Sequence, residues 1–163
     1  MKILAIGAHP DDLEIGCFGT LKKLKDNGND VEIVITTYGG YKSVEMSRSR
    51  NWDDITSEAE KSAGMLSAPI VFFDNPVLNL QINGDSIRKL DQKIGSGNYD
   101  LIITHSPNDH HQDHRVTWDI VRAATRRYEG KIWQMELSLY TYKSKSFIPN
   151  IFVDISNSWD FKV

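Results

Sequence analysis

The residues best equipped for chemistry lie in two short stretches. HPDD (His9–Asp12) ends the apolar run Met1–Ala8, and SPNDHHQDH (Ser106–His114) follows the apolar run LIITH (Leu101–His105). Four of the five histidines, His105, His110, His111 and His114, fall within ten residues of one another. Together the stretches offer imidazoles and carboxylates of the kind zinc takes, with a position left for water. Adjacent acids repel, but a divalent cation bound by one of them stabilises both as carboxylates. Each stretch also has a plainer reading. HPDD could be a turn in which Pro10 fixes the backbone and an aspartate caps the next helix, and NDHHQDH could be a solvated loop. Their joint placement after two strands of one sheet favours the chemical reading.

The elements that must position them follow from hydrophobic periodicity. Lys2–Ala8, Val31–Thr37, Ile70–Asp74 and Leu101–His105 are short continuous apolar runs, the form of strands buried on both faces. Helices are expected over about 16–27, with Leu21 and Leu24 at helical spacing, and over 53–66, 86–94 and 116–128. Ile132–Tyr142 and Ile151–Ser156 read as later strands, and Tyr38–Arg50 as a polar loop. Strand and helix in strict alternation imply βαβ units: an α/β, Rossmann-like three-layer α/β/α sandwich with a mostly parallel sheet. Ligands of such sheets bind at the carboxyl ends of the strands, where both histidine-bearing segments lie.

Bulk properties narrow the class. The 163 residues suit a single domain, with 40% hydrophobic and 25% charged residues and a net charge of −3. That charge gives no basic field for nucleic acid or anionic lipid. The single Cys17 excludes an intrachain disulfide and suits a reducing compartment. The N-terminal apolar run is short and leads into HPDDLE, and no segment approaches ~20 apolar residues, so the expected address is the cytoplasm.

AHPDDLEIGCFGTL (Ala8–Leu21) together with SPNDHHQDHR (Ser106–Arg115) resembles the zinc-dependent de-N-acetylases of the LmbE/PIG-L family. That family includes enzymes removing acetyl groups from N-acetylglucosaminyl conjugates. The likeness extends to PNIFVDIS (Pro149–Ser156) and covers nearly the whole chain. It implies one Zn2+ per chain, with His9, Asp12 and His114 as ligands, although mixed N/O ligands accept other divalent transition metals too. Asp11 would be the general base. His111 would face the substrate carbonyl as an imidazolium, and Asp113 would orient it. The implied substrate is a small N-acetylated amino sugar or glycoconjugate, with Arg50 in the place of the family's substrate-binding arginine; His110 has no fixed role in the pattern and is a further candidate to contact substrate. The oligomeric state is left open.

The chemistry fits that division of labour. Zinc lowers the pKa of bound water to roughly 7 and polarises a carbonyl. A carboxylate can take the water's proton and deliver one to the leaving amine, while an imidazole stabilises the oxyanion. His105 is expected to be structural or to back a ligand, and Asn108 and Asp109 to shape their loop through backbone bonds. Gly16 and Gly19 are expected to allow close helix–strand packing. Trp52, Trp118, Trp133 and Trp159 are expected in core or interface, and Cys17 is expected to pack rather than react. The family pattern runs on into a further helix beyond the VDIS stretch, where this sequence has NSWDFKV (Asn157–Val163). The alternative is therefore a zinc-binding member that acts as a binding module without turnover. A metal-free nucleotide-binding domain is disfavoured, because GCFG lacks the G-x-G-x-x-G spacing.

Overall fold

A computed structural model describes residues 1–38, 41–42, 49–137 and 147–162, with backbone alone for 41–42 and 49–50. The chain runs β1 (Lys2–Gly7), α1 (Asp12–Gly16), α2 (Phe18–Asp26), β2 (Asp30–Tyr38), β3 (Tyr41–Lys42), β4 (Ser49–Arg50), α3 (Trp52–Met65) and β5 (Ile70–Pro76). It continues with α4 (Gly84–Gly97), β6 (Leu101–His105), α5 (Gln112–Ala124), β7 (Lys131–Met135), a 3-10 turn (Ser156–Ser158) and α6 (Trp159–Lys162). Five strands form an all-parallel sheet in the order β5-β2-β1-β6-β7, and β3 and β4 make a separate antiparallel ribbon.

Strand residues alternate between two apolar layers, as the period of two requires. Ile3 and Ala5 of β1 join Ile33, Ile35, Leu101 and Ile103 under Leu13, Phe18 and Leu21 and under Ala63 of α3. Leu4 and Ile6 turn the other way, with Val34 and Ile102, to Leu90 and Ile94 of α4 and Ile120, Val121 and Ala124 of α5. Both faces are covered, which is why the central strands read as unbroken apolar runs. From β1 the chain builds outward on one side through β2 and β5, then returns to β6 and β7 on the other. The switch point thus falls between β1 and β6, where Ile3 pairs with Leu101 and Ala5 with Ile103. Open α/β sheets place their ligands at such a point.

Three expectations need correction. α5 begins at Gln112, four residues earlier than the apolar pattern suggested, because His111 caps it. The last strand of the sheet ends at Met135, and residues 138–142 of the expected strand lie outside the described residues. Ile151–Ser156 is no strand. Asp154 folds back to accept the Ser156 N–H at 2.9 Å, Lys23 Nζ donates to the Asp154 carbonyl at 2.6 Å, and Phe152 stays 81% exposed.

The small residues behave unequally. A Cβ on Gly16 would lie 2.7 Å from Met135 Sδ at the end of β7, so this glycine does allow helix–strand contact. At Gly19 the obstacle is Ile155 Cδ1 at 2.7 Å, in the irregular C-terminal segment rather than a strand. Cys17 packs in the core, with burial pushing its thiol up to about 12. Trp52 packs against Tyr38 and Phe72, and Trp133 lies against the core, whereas Trp159 is exposed. No helix among the described residues is long and apolar enough to cross a membrane.

Candidate metal centre

The HPDD turn does not behave as a helix cap. Asp11 occupies the N-cap position of α1 but makes no side-chain capping bond, and its side chain is exposed. Asp12 turns inward, only 4% exposed, and its Oδ2 accepts the N–H groups of Ala8 at 2.9 Å and His9 at 2.7 Å. Consecutive carboxylates therefore point into different environments. His105, at the end of β6 and fully buried, sits with Nε2 3.0 Å from Asp12 Oδ2. The same nitrogen is 2.9 Å from the Ala8 N–H, and it cannot both donate and accept there. Donation to the carboxylate satisfies all three groups, since Ala8 also reaches Asp12. Burial alone would raise the Asp12 pKa, but His105, His114 and His9 hold it well below the usual carboxylate range. Burial pushes His105 down, towards the neutral ring.

The second stretch is organised by the start of α5. His111 has extended backbone (φ −77°, ψ 129°), and its Nδ1 accepts the Asp113 N–H at 3.2 Å. Asp109 Oδ1 accepts the His111 N–H at 2.8 Å, and Arg115 Nη1 holds the carbonyls of Asp109 and His110 at 2.8 and 2.7 Å. These bonds place Asp113 and His114 in the first helical turn, where both are buried.

The two stretches meet. His114 Nε2 is 3.1 Å from Asp12 Oδ1 and 3.3 Å from His9 Nδ1, and His9 Nδ1 is 3.6 Å from Asp12 Oδ2. His114 Nε2 thus meets one oxygen of Asp12 and His9 Nδ1 approaches the other, while the two ring nitrogens lie at the roughly 3.3 Å that separates ligand atoms of a tetrahedral zinc. Among the described residues, the groups whose donor atoms all lie within 4.8 Å of one another are His9 with His111 and His114, and Asp12 with His105 and His114. They share His114 and between them contain all three expected ligands; His111 Nδ1 also accepts a backbone N–H, and His105 Nε2 also meets Asp12.

Charge points the same way. Burial alone would lower His9, yet Asp113 and Asp12 raise it to about 10; burial is likewise overcome at His114, which Asp109 and Asp12 raise to about 9. Three buried carboxylates thus draw positive charge to this spot.

Two assignments change. The Asp113 carboxylate, expected on His111, binds His9 Nε2 at 2.9 Å and the Leu78 N–H at 2.7 Å through Oδ2. His111 is not favoured as an imidazolium. Burial pushes its pKa down, as do His9 and His114, and accepting on Nδ1 leaves its proton on Nε2. Sequence reasoning also underrated Asp109, whose Oδ2 lies 3.0 Å from His114 Nδ1, off the line of an ideal hydrogen bond. An acid in the same loop as a ligand histidine was the available signal. Leu78 carried none. His110 is exposed. Arg50 lies in β4 with its side chain outside the described residues.

Residues 4–125 match the family model described as PIG-L: GlcNAc-PI de-N-acetylase. The chain belongs to this family. This PIG-L member is 28% identical over 169 residues to the uncharacterized deacetylase YaiS of Escherichia coli K12, covering 96% of the chain and 83% of YaiS. Its fold superposes with a TM-score of 0.80 on the N,N'-diacetylchitobiose deacetylase of Pyrococcus horikoshii, at 26% identity. That match covers 99% of this chain but 66% of the archaeal one. It also matches the 4-carboxy-2-hydroxymuconate hydratase GalB of Pseudomonas putida KT2440, with a TM-score of 0.74 and 19% identity, over 99% of this chain and 75% of that one. The last likeness shows the fold alone, which therefore does not dictate the reaction.

Proposed function

We propose that this PIG-L member is a zinc-dependent hydrolase that removes the acetyl group from a small N-acetylated amino sugar or glycoconjugate. The carrying observation is the meeting of His9 Nδ1 and His114 Nε2 at 3.3 Å, with one Asp12 oxygen 3.1 Å from His114 and the other 3.6 Å from His9. These residues would hold the metal. Zinc held there lowers the pKa of water to near 7 and polarises an amide carbonyl.

The remaining steps belong to the chain. Asp11, exposed beside the buried Asp12 and not engaged in capping, takes the proton of the attacking water and returns it to the leaving amine. His111 donates its Nε2–H to the developing oxyanion as a neutral imidazole, a role that avoids adding a positive charge beside the metal. His105 holds Asp12 in place from behind. Arg50 and His110 remain candidates for the sugar. Relatives acting on diacetylchitobiose support an amino-sugar substrate.

The test is acetate release by zinc-loaded protein from a panel of N-acetylglucosamine, its glycosides and diacetylchitobiose. Release that stops on chelation and returns with zinc supports the reading. Tight zinc binding with no acetate from any panel member would sink it in favour of a binding module.

A further inference from the structure

We propose that Asp113 and Asp109 are the positioning residues of the metal centre, each gripping the far nitrogen of one ligand imidazole. This rests on the metal-centre reading above and adds a division of labour to it. A neutral imidazole carries its proton on one nitrogen and can offer a lone pair only from the other. His9 presents Nδ1 to Asp12 and His114, and turns Nε2 to Asp113 at 2.9 Å. His114 does the reverse: Nε2 faces Asp12 and His9, and Nδ1 faces Asp109 at 3.0 Å. The rings enter the site through opposite nitrogens, and a carboxylate sits at the nitrogen left over in each. A carboxylate accepts and never donates when ionised, so it fixes the proton on the nitrogen facing it. The inner nitrogen is left bare.

Each carboxylate residue is itself anchored by further groups. Asp113 Oδ2 takes the N–H of Leu78, a non-glycine residue at φ +61° in the loop after β5. Asp109 is held at its backbone carbonyl by Arg115, and its Oδ1 takes the His111 N–H. The geometry then separates the two positions. Asp109 meets its two partners with two different oxygens, Oδ1 taking the His111 N–H and Oδ2 lying 3.0 Å from His114 Nδ1. An asparagine there has one oxygen, so its amide must face either the His111 N–H or His114 Nδ1. Asp113 serves both donors through Oδ2 alone, so an asparagine can keep both bonds while losing the charge and putting its NH2 where the partnerless Oδ1 now lies.

The experiment uses zinc-loaded protein labelled with 15N in its histidines, together with zinc affinity measured against a competing chelator. Wild-type protein should retain imidazole N–H signals at Nε2 of His9 and Nδ1 of His114. D109N should weaken zinc binding by about 10- to 100-fold and lose the His114 Nδ1–H signal, with D113N the milder of the pair. Ligation through the opposite nitrogen of either histidine overturns the proposal, and this needs no variant. So does a D109N protein that binds zinc within about twofold of wild type. Zinc bound through the stated nitrogens without acetate release would sink the proposed reaction alone. Deacetylation with the other nitrogens ligated would sink only the positioning roles.

Discussion

At the scale of single residues, Asp11 and Asp12 are chemically identical neighbours with opposite surroundings. Asp12 is sealed in by two backbone N–H groups and His105, whereas Asp11 caps nothing and faces outward. Substituting them should therefore separate binding from turnover. D11N is expected to keep its zinc, by metal analysis after dialysis, while acetate release falls by about 100- to 10,000-fold. D12N should lose zinc along with activity; a D11N protein that also loses its metal would show that the base is misassigned. Proton competition gives a second prediction. With His9 raised to about 10 and His114 to about 9 by the surrounding carboxylates, protons compete with zinc for these rings. Apparent zinc affinity should climb as pH rises towards 9, by up to about one decade per pH unit for each proton displaced. Titration against a chelator between pH 6 and 9 checks this, and a flat profile would contradict it. The proposed ligand set could be read from sequence because HPDD and HQDH are unusual in both composition and spacing. His105 was expected to back a ligand, and the fold supplies its partner, Asp12. The place of Asp109 beside His114 was not legible, since it depends on how the fold turns the loop.

At the scale of elements, the apolar runs located the strands well because their burial on both faces leaves no ambiguity of period. The start of α5 was missed for the opposite reason. Its first turn buries Asp113 and His114, polar residues that hydrophobic periodicity cannot register, so the helix was placed four residues too late; it also ends four residues earlier, at Ala124. The Ile151–Ser156 stretch failed differently: its alternation suits a strand, but the chain there lies against α2, with Ile155 on Gly19, rather than along a strand edge. α4 offers a clean test of local structure against the site. Asn83 caps it by accepting from the Asp85 and Ser86 N–H groups at 3.0 and 2.9 Å, and Ser86 Oγ accepts in return from the Asn83 N–H at 3.2 Å. N83A removes this box and should destabilise the protein by about 1 kcal/mol in urea unfolding. Zinc affinity should stay unchanged, because no bond of the box reaches the metal-centre residues. A shift in affinity would mean that α4 helps to set the site.

At the scale of the molecule, the sheet has a chemical end and a structural end. The carboxyl ends of β1 and β6 carry the histidines, as the alternation of elements foretold, although the order β5-β2-β1-β6-β7 depends on crossovers that no local pattern encodes. The other end is tied by Glu32, near the start of β2. Lys2 of β1 reaches its Oε1 at 2.8 Å, while Lys93 of α4 and the Tyr99 hydroxyl reach Oε2, each at 2.6 Å. One carboxylate thus links two strands, a helix and the turn entering β6. Burial alone would raise the Glu32 pKa, but the bonds from Lys2, Lys93 and Tyr99 outweigh it and hold it at about 2. A folded-state pKa below the unfolded value adds stability that is fully present above the ordinary glutamate value of 4.5 and is lost as pH falls through about 2. E32Q should therefore be less stable than wild type near neutral pH, and the gap should close progressively between pH 4.5 and 2 in denaturant unfolding. Zinc affinity at pH 7 should be the same in both proteins, because the clamp and the metal centre lie at opposite ends of the same strands. A gap that persists unchanged below pH 2 would show that Glu32 acts through packing, and that the carboxylate charge is not what ties this end of the sheet together.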